Sequence, residues 1–175
     1  MMQEIDKKEE DWHMTFAALD YLRVLNKFYT ADLLENLDAF ADFIRKGVES
    51  LRSNISKNSL TLCIEMFDNQ KIISEEKYHD QLQAFAGVVT YSVMQKTTYD
   101  KVFIAKEAKT AVEKLMQNWT NGSTLKLLIE DGCKNKLSNK KLTEESYVTY
   151  MTTFVNNIKK EGPIVFKLAE DAEEC

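Results

Sequence analysis

At 175 residues and 20.3 kDa, with 44% hydrophobic and 29% charged residues, the chain has room for one domain with a sizeable core. Five glycines and a single proline, Pro163, are too few chain breakers for the turns of a sheet protein, so the expected fold class is all-α. A formal net charge of -5 excludes a general polyanion binder, which needs a concentrated basic face, and no nucleic-acid partner is expected.

The first segment, Met1-Met2-Gln3-Glu4-Ile5-Asp6-Lys7-Lys8-Glu9-Glu10, is charged where a signal peptide is apolar, and no apolar run approaches membrane-spanning length. A cytoplasmic location without a membrane partner is the expectation. Residues 1–9 read as a charged extension. From Asp11 to about Phe28 the apolar residues Phe16, Leu19, Leu22 and Leu25 follow helical spacing. Leu33, Leu37, Phe40, Ile44, Val48 and Leu51 form the stripe of a second helix, capped by Thr30 or Asp32, and complete a first antiparallel pair. A third helix starts at Ser53-Asn54, whose short polar side chains can accept from free N–H groups. It carries Ile55, Leu62, Cys63, Met66 and Phe67 inward, and Asp68-Asn69-Gln70 weakens it.

Ser74-Glu75-Glu76-Lys77 is a capping-type start for a fourth helix with Tyr78, Leu82, Phe85, Val89 and Val93. After a turn from Gln95 to Asp100, Ile104, Ala108, Ala111, Leu115 and Trp119 mark a fifth helix, ended by Asn121-Gly122. A short sixth helix has Leu125, Leu128 and Ile129. The loop from Asp131 to Lys141 leads to a seventh helix through Tyr147, Tyr150, Met151, Phe154 and Ile158, stopped by Gly162-Pro163. Residues 162–175 are a tail, leaving 10–161 as the folded domain. The expected core is Leu37, Phe40, Ile44, Leu62, Phe85, Val89, Leu115 and Phe154.

Helix starts near Glu10-Asp11-Trp12, Leu51-Arg52-Ser53 and Val102-Phe103-Ile104 recur about every 40 to 50 residues, the period of HEAT and armadillo arrays. The expected architecture is an α-solenoid of about three to four two-helix units. The loops at those starts then line one edge, which suits binding better than catalysis.

The residues offer little catalytic chemistry. His13 and His79 are the only histidines and lack partners at metal-ligand spacing, so no metal and no cofactor are expected. Gly-rich phosphate loops, nucleophile elbows and Cys/His pairs are missing, so the chain is not expected to be an enzyme. Cys63, Cys133 and Cys175 are unclustered and read as free thiols.

Trp12 has two open placements: an exposed binding anchor at a loop edge, or a staple packed on Phe16. Trp119 lies on its helix's apolar stripe and reads as core. Lys57, Lys101, Lys106, Lys134, Lys136, Lys140 and Lys141 fall at or near helix starts. Stacked in register they form a basic edge that could dock an acidic partner, or they are ordinary solvated lysines.

Three blocks in order carry a family resemblance: Glu10-Asp11-Trp12 with Leu19, Leu22, Arg23 and Leu25; Val48-Glu49-Ser50-Leu51-Arg52-Ser53-Asn54-Ile55-Ser56-Lys57; and Phe103-Ile104 with Lys106-Glu107-Ala108 and Ala111. Over about residues 10 to 135 the chain resembles TOG domains of the CLASP and crescerin type. That resemblance implies a paddle of HEAT repeats whose intra-repeat loops bind tubulin or the microtubule lattice, in the manner of a non-enzymatic microtubule-associated protein. It implies Trp12 as the first-loop anchor, Asn54 and Lys57 in the second loop, Lys101 and Lys106 in the third, and Lys134 and Lys136 in the fourth. Trp12-His13-Met14-Thr15 departs from the family, which places a basic residue soon after the tryptophan, and the chain holds fewer than the usual six repeats. A shortened relative inside a microtubule assembly, a cilium or axoneme with axonemal proteins as further partners, is the implied setting. The rival is a HEAT or armadillo adaptor that binds a protein or peptide in the groove of its inner helices without touching tubulin.

Overall fold

A computed structural model of the chain describes residues 2–119, 126, 148–153 and 155–156. The elements are α1 (Met2–Phe28), α2 (Thr30–Glu35), α3 (Leu37–Glu49), α4 (Ser53–Phe67), α5 (Gln70–Ser74), a 3-10 turn (Glu76–Tyr78), α6 (His79–Lys96) and α7 (Val102–Asn118). Residues 126, 148–153 and 155–156 are also helical, and no strand occurs among the described residues. The fold is all-α. The expected sixth helix, apart from residue 126, and Phe154 lie outside the described residues.

Four boundaries differ from the sequence reading. First, α1 opens at Met2 instead of Asp11, because Gln3, Glu4, Lys7 and Lys8 are residue types of good helix propensity. Second, the stripe from Leu33 to Val48 is split at Asn36, whose side-chain amide donates to Asp32 O at 2.9 Å and competes with the helix. Leu33 and Leu37 on either side of that break are both buried, so the stripe keeps its phase. Third, α3 ends at Glu49 and Ser50 turns extended (φ -50°, ψ 140°), which throws Leu51 off the stripe to 83% exposure. Fourth, α5 fills the stretch after Phe67, with the Asn69 side chain accepting from Lys71 N at 3.0 Å.

The expected caps at Thr30, Ser53-Asn54 and Ser74 are not used as caps. Thr30 Oγ1 donates to Asn26 O at 2.8 Å, and Ser74 Oγ donates to Lys71 O at 3.3 Å. The cap positions of α2, α4 and α6 are Tyr29, Arg52 and Tyr78, none with a side-chain cap bond.

α4 packs between α1 and α7, which makes one row of helices; α3 packs on α6 in a second row, and the rows meet where α3 touches α4 and α6 touches α7. One continuous core runs between them. Leu37, Ile44, Leu62, Phe85, Val89 and Leu115 are buried in it as expected, and Phe40 is half-buried against it. Trp119 is core: its Nε1 donates to Phe67 O at 3.1 Å and its ring stands edge-on to His79 at 5.1 Å. Gly47 is needed where α3 crosses α4, since a Cβ there would sit 2.1 Å from Ser59 Oγ.

Polar side chains tie each helix to the next in its row at similar sequence separations. Arg23 pairs with Glu65 (42 residues apart, Nη2 to Oε1 2.5 Å), Asn69 donates to Asn26 (43), Ser92 to Glu49 (43), Lys114 to Asp68 (46), and Lys101 to Ser53 (48). Near the helix ends Asn69 Nδ2 donates to Asn26 O and Asn118 Nδ2 to Phe67 O, so one kind of bond closes α4 on α1 and α7 on α4.

Candidate functional site

Where α3 and α6 end, α4 and α7 begin, and these two starts lack the first-turn acid that α2, α3 and α6 carry. α2, α3 and α6 each hold an aspartate in the first turn, Asp32, Asp38 and Asp80, which suits the positive end of the helix dipole. α4 and α7 have no acid in the first turn and no side-chain cap, and the residue at each cap position is a cation, Arg52 and Lys101. Unsatisfied N–H groups, the positive dipole end and a fixed charge therefore coincide twice in one row.

Exposed apolar side chains stand beside those cations. Leu51 is 83% exposed, Val102 80% and Phe103 47%. The two starts are fastened together by Lys101 Nζ, which donates to Ser53 Oγ at 2.6 Å. Behind them Lys96, largely buried, donates to Glu49 O and Ser50 O at 3.4 Å, neutralising the carbonyl end of α3, and its ammonium lies 4.2 Å from the Tyr99 ring centroid. Burial lowers the Lys96 pKa from its ordinary value. Glu49, beneath the same loop, accepts from Ser92 Oγ at 2.6 Å and from Arg45 Nη1 at 2.7 Å, and these bonds hold its carboxyl below the usual range.

Trp12 meets this edge, though not as a first-loop residue. It lies inside α1, half-buried against the core, with the Arg52 guanidinium carbon 5.6 Å from its ring centroid and the His13 ring at 3.6 Å. Asn54 and Lys57 are exposed on the first turns of α4, and Lys101 and Lys106 are exposed at and after the start of α7. The structure brings Lys101 to Ser53, beside Asn54. Lys57 and Lys106 each stand further along their helix, and neither has an ion pair among the described residues. Lys134 and Lys136, with Lys140 and Lys141, lie outside the described residues.

The sequence reading missed Arg52, Leu51, Val102 and Phe103 as members of the edge. Its available signal was a pair of helix starts, each opened by a basic residue beside an aliphatic one, with no acid in the first turn. A separate groove of about 710 Å³ runs between α1 and α4, lined by Asp20, Arg23, Val24, Lys27, Glu65 and Asp68 among others. Among the described residues no His, Cys, Asp and Glu side chains gather into a set that could hold a metal, and no helix is long and apolar enough to cross a membrane. Comparison with family models, with curated proteins and with solved structures found no match.

Proposed function

We propose that the edge formed by the starts of α4 and α7 docks the acidic surface of a protein partner, and that the partner is tubulin or the microtubule lattice. On this reading the chain is a non-enzymatic microtubule-associated protein built as a shortened TOG-like stack of HEAT-type helix pairs, working in the cytoskeleton as a component of a cilium or axoneme. The observation that carries it is the doubling of one uncommon arrangement: a cation at the cap position, no acid in the first turn and an exposed aliphatic side chain, at both Arg52 with Leu51 and Lys101 with Val102. Apolar contact supplies affinity at such an edge, and the cations steer and orient an acidic partner.

The stacked-pair architecture is supported by the two rows of helices and by the separations of 35 to 52 residues at which side chains join one helix to the next. These bracket the period of about 40 to 47 residues in HEAT and armadillo units.

Co-sedimentation with polymerised microtubules, run beside gel filtration with free tubulin, tests the function. The parent chain is expected to bind one or both, and a Leu51→Asp, Val102→Asp double variant with unchanged melting is expected to lose at least tenfold in affinity. Lys57→Glu and Lys106→Glu should weaken binding mainly at low salt. Binding to neither form of tubulin, or binding indifferent to the double substitution, overturns this reading and leaves the adaptor that holds another protein.

A further inference from the structure

α1 is apolar on two opposite faces. Its inward side presents Leu19 and Leu22 to the core, with Trp12 and Leu25 half-buried. Its outward side presents Met14, Ala17, Tyr21, Val24 and Phe28, at successive spacings of three, four, three and four residues, all exposed: Met14 69%, Tyr21 63%, Val24 45% and Phe28 62%. That spacing is the a/d seam of a coiled coil. The end helix of a helical stack ordinarily turns a polar face outward, and among the described residues nothing covers this one.

We propose that this face is the interface between two copies of the chain, packed through antiparallel α1 helices. One register satisfies size and charge together. Setting Ala17 against the partner's Phe28 and Tyr21 against the partner's Val24 places a large side chain on a smaller one in all four layers of the symmetric pair. The same register brings Lys27 beside the partner's Asp20, twice, and Ala18 beside the partner's Leu25 on the other flank. Lys27 has no ion pair among the described residues, and its ammonium lies 5.3 Å from the centroid of the Phe28 ring. Asp20 belongs to a cluster in which Arg23 faces both Asp20 and Glu65, one positive charge against two negative, so the cluster has a negative charge left to meet Lys27. Parallel pairing would instead stack Tyr21 on Tyr21 and Phe28 on Phe28.

With Tyr29, 57% exposed, at its end, the three aromatic side chains of the face expose roughly 270–450 Å² per copy, taking each at roughly 150–250 Å² when fully buried. With Val24 and Ala17 added, the pair buries under roughly 1,200 Å², the size class of weak encounters, which fits a reversible dimer. The face lies on the outward side of α1, away from the inward side on which Trp12 packs and meets Arg52, so the proposal does not rest on the tubulin reading.

Sedimentation equilibrium of the full chain across concentration tests it. A monomer–dimer equilibrium in the micromolar range is expected, with Tyr21→Asp weakening it at least tenfold and Lys27→Asp severalfold, both melting like the parent. Lys27 is exposed, so its variant remains informative if Tyr21→Asp disturbs folding. Mixing Tyr21→Cys with Val24→Cys chains under oxidation should give a linkage between positions 21 and 24 by peptide mapping. A chain that stays monomeric at several hundred micromolar, a dimer indifferent to both substitutions, or a dominant linkage of position 21 to itself overturns the proposal.

Discussion

The guanidinium carbon of Arg52 lies 5.6 Å from the centroid of the Trp12 ring, which couples the interior of α1 to the residue that opens α4. A cation over tryptophan contributes about 0.5–1 kcal/mol at an exposed site. Trp12 is half-buried, so Trp12→Ala should cost about 2 kcal/mol, below the 3–5 typical of a fully buried aromatic. Arg52→Ala should cost under about 1 kcal/mol, and a double-mutant cycle by denaturant titration should return a coupling of about 0.5–1 kcal/mol. Zero coupling would mean that the two side chains are neighbours without attraction.

Ser59 Oγ is buried with no hydrogen-bond partner among the described residues, directly beneath Gly47. Ser59→Ala should therefore be neutral or stabilising by up to about 1 kcal/mol, since an unpaired buried hydroxyl is a desolvation cost. Gly47→Ala should destabilise despite alanine's better helix propensity, because its Cβ meets Ser59 Oγ at 2.1 Å and Ser59 Cβ at 3.2 Å. In the Ser59→Ala background the penalty should shrink measurably, the close oxygen having gone. Equal penalties in both backgrounds would place the clash elsewhere.

The buried stripes were legible because three- and four-residue spacing survives local irregularity: Leu33 and Leu37 stay in phase across the break at Asn36. What stayed hidden depended on element ends. Leu51 continues the stripe of α3 on paper and leaves it once Ser50 turns extended, and Trp12 reads as a helix start until the charged residues before it prove helical. The second apolar face of α1 escaped for a different reason. Leu19, Leu22 and Leu25 already account for a helix with one buried side, and spacing alone does not say that Tyr21, Val24 and Phe28 make another.

Cys63 is fully enclosed in α4, and burial pushes its thiol up to about 12. At pH 8 it should resist a thiol reagent in the folded chain and react at a rate set by global unfolding. Peptide mapping after timed labelling separates it from Cys133 and Cys175. Labelling of Cys63 as fast as a free thiol in the absence of denaturant would contradict its burial.

Glu49 and Asp42 share one face of α3, and both carboxyls are held low, Glu49 first by Ser92 and then by Arg45, Asp42 first by Lys46 and then by Arg45. A carboxyl with a depressed folded pKa contributes stability above its unfolded value, 4.5 for Glu49 and 3.8 for Asp42, and loses it as pH falls through the folded value. Stability should thus fall below pH 4.5, and Ser92→Ala should flatten part of that fall by letting the Glu49 pKa rise toward normal. Titration of the Glu49 carboxyl by NMR in parent and variant is the check; coincident curves would show that Ser92 does not set it.

Lys101 occupies the cap position of α7 with extended backbone (φ -82°, ψ 105°), the conformation in which an aspartate side chain accepts from the second or third helical N–H. Its carbonyl already accepts from Ile104 and Ala105, at 2.9 and 3.1 Å, so the backbone is prepared for a cap that the lysine side chain cannot supply. Lys101→Asp should add that cap and exchange a cation for an anion at the positive end of the helix. Against this stands one exposed bond to Ser53 Oγ, worth little in solvent. The net change should be a stabilisation of about 0.5–1 kcal/mol, read as a higher denaturation midpoint at unchanged slope. If the edge docks an acidic partner, the same substitution should weaken that binding, most of all at low salt. A more stable chain that binds less well is the signature of a helix start kept basic for its partner. A variant that gains stability and binds as before would release Lys101 from the edge, and one that loses stability would mean that the Ser53 bond outweighs the cap.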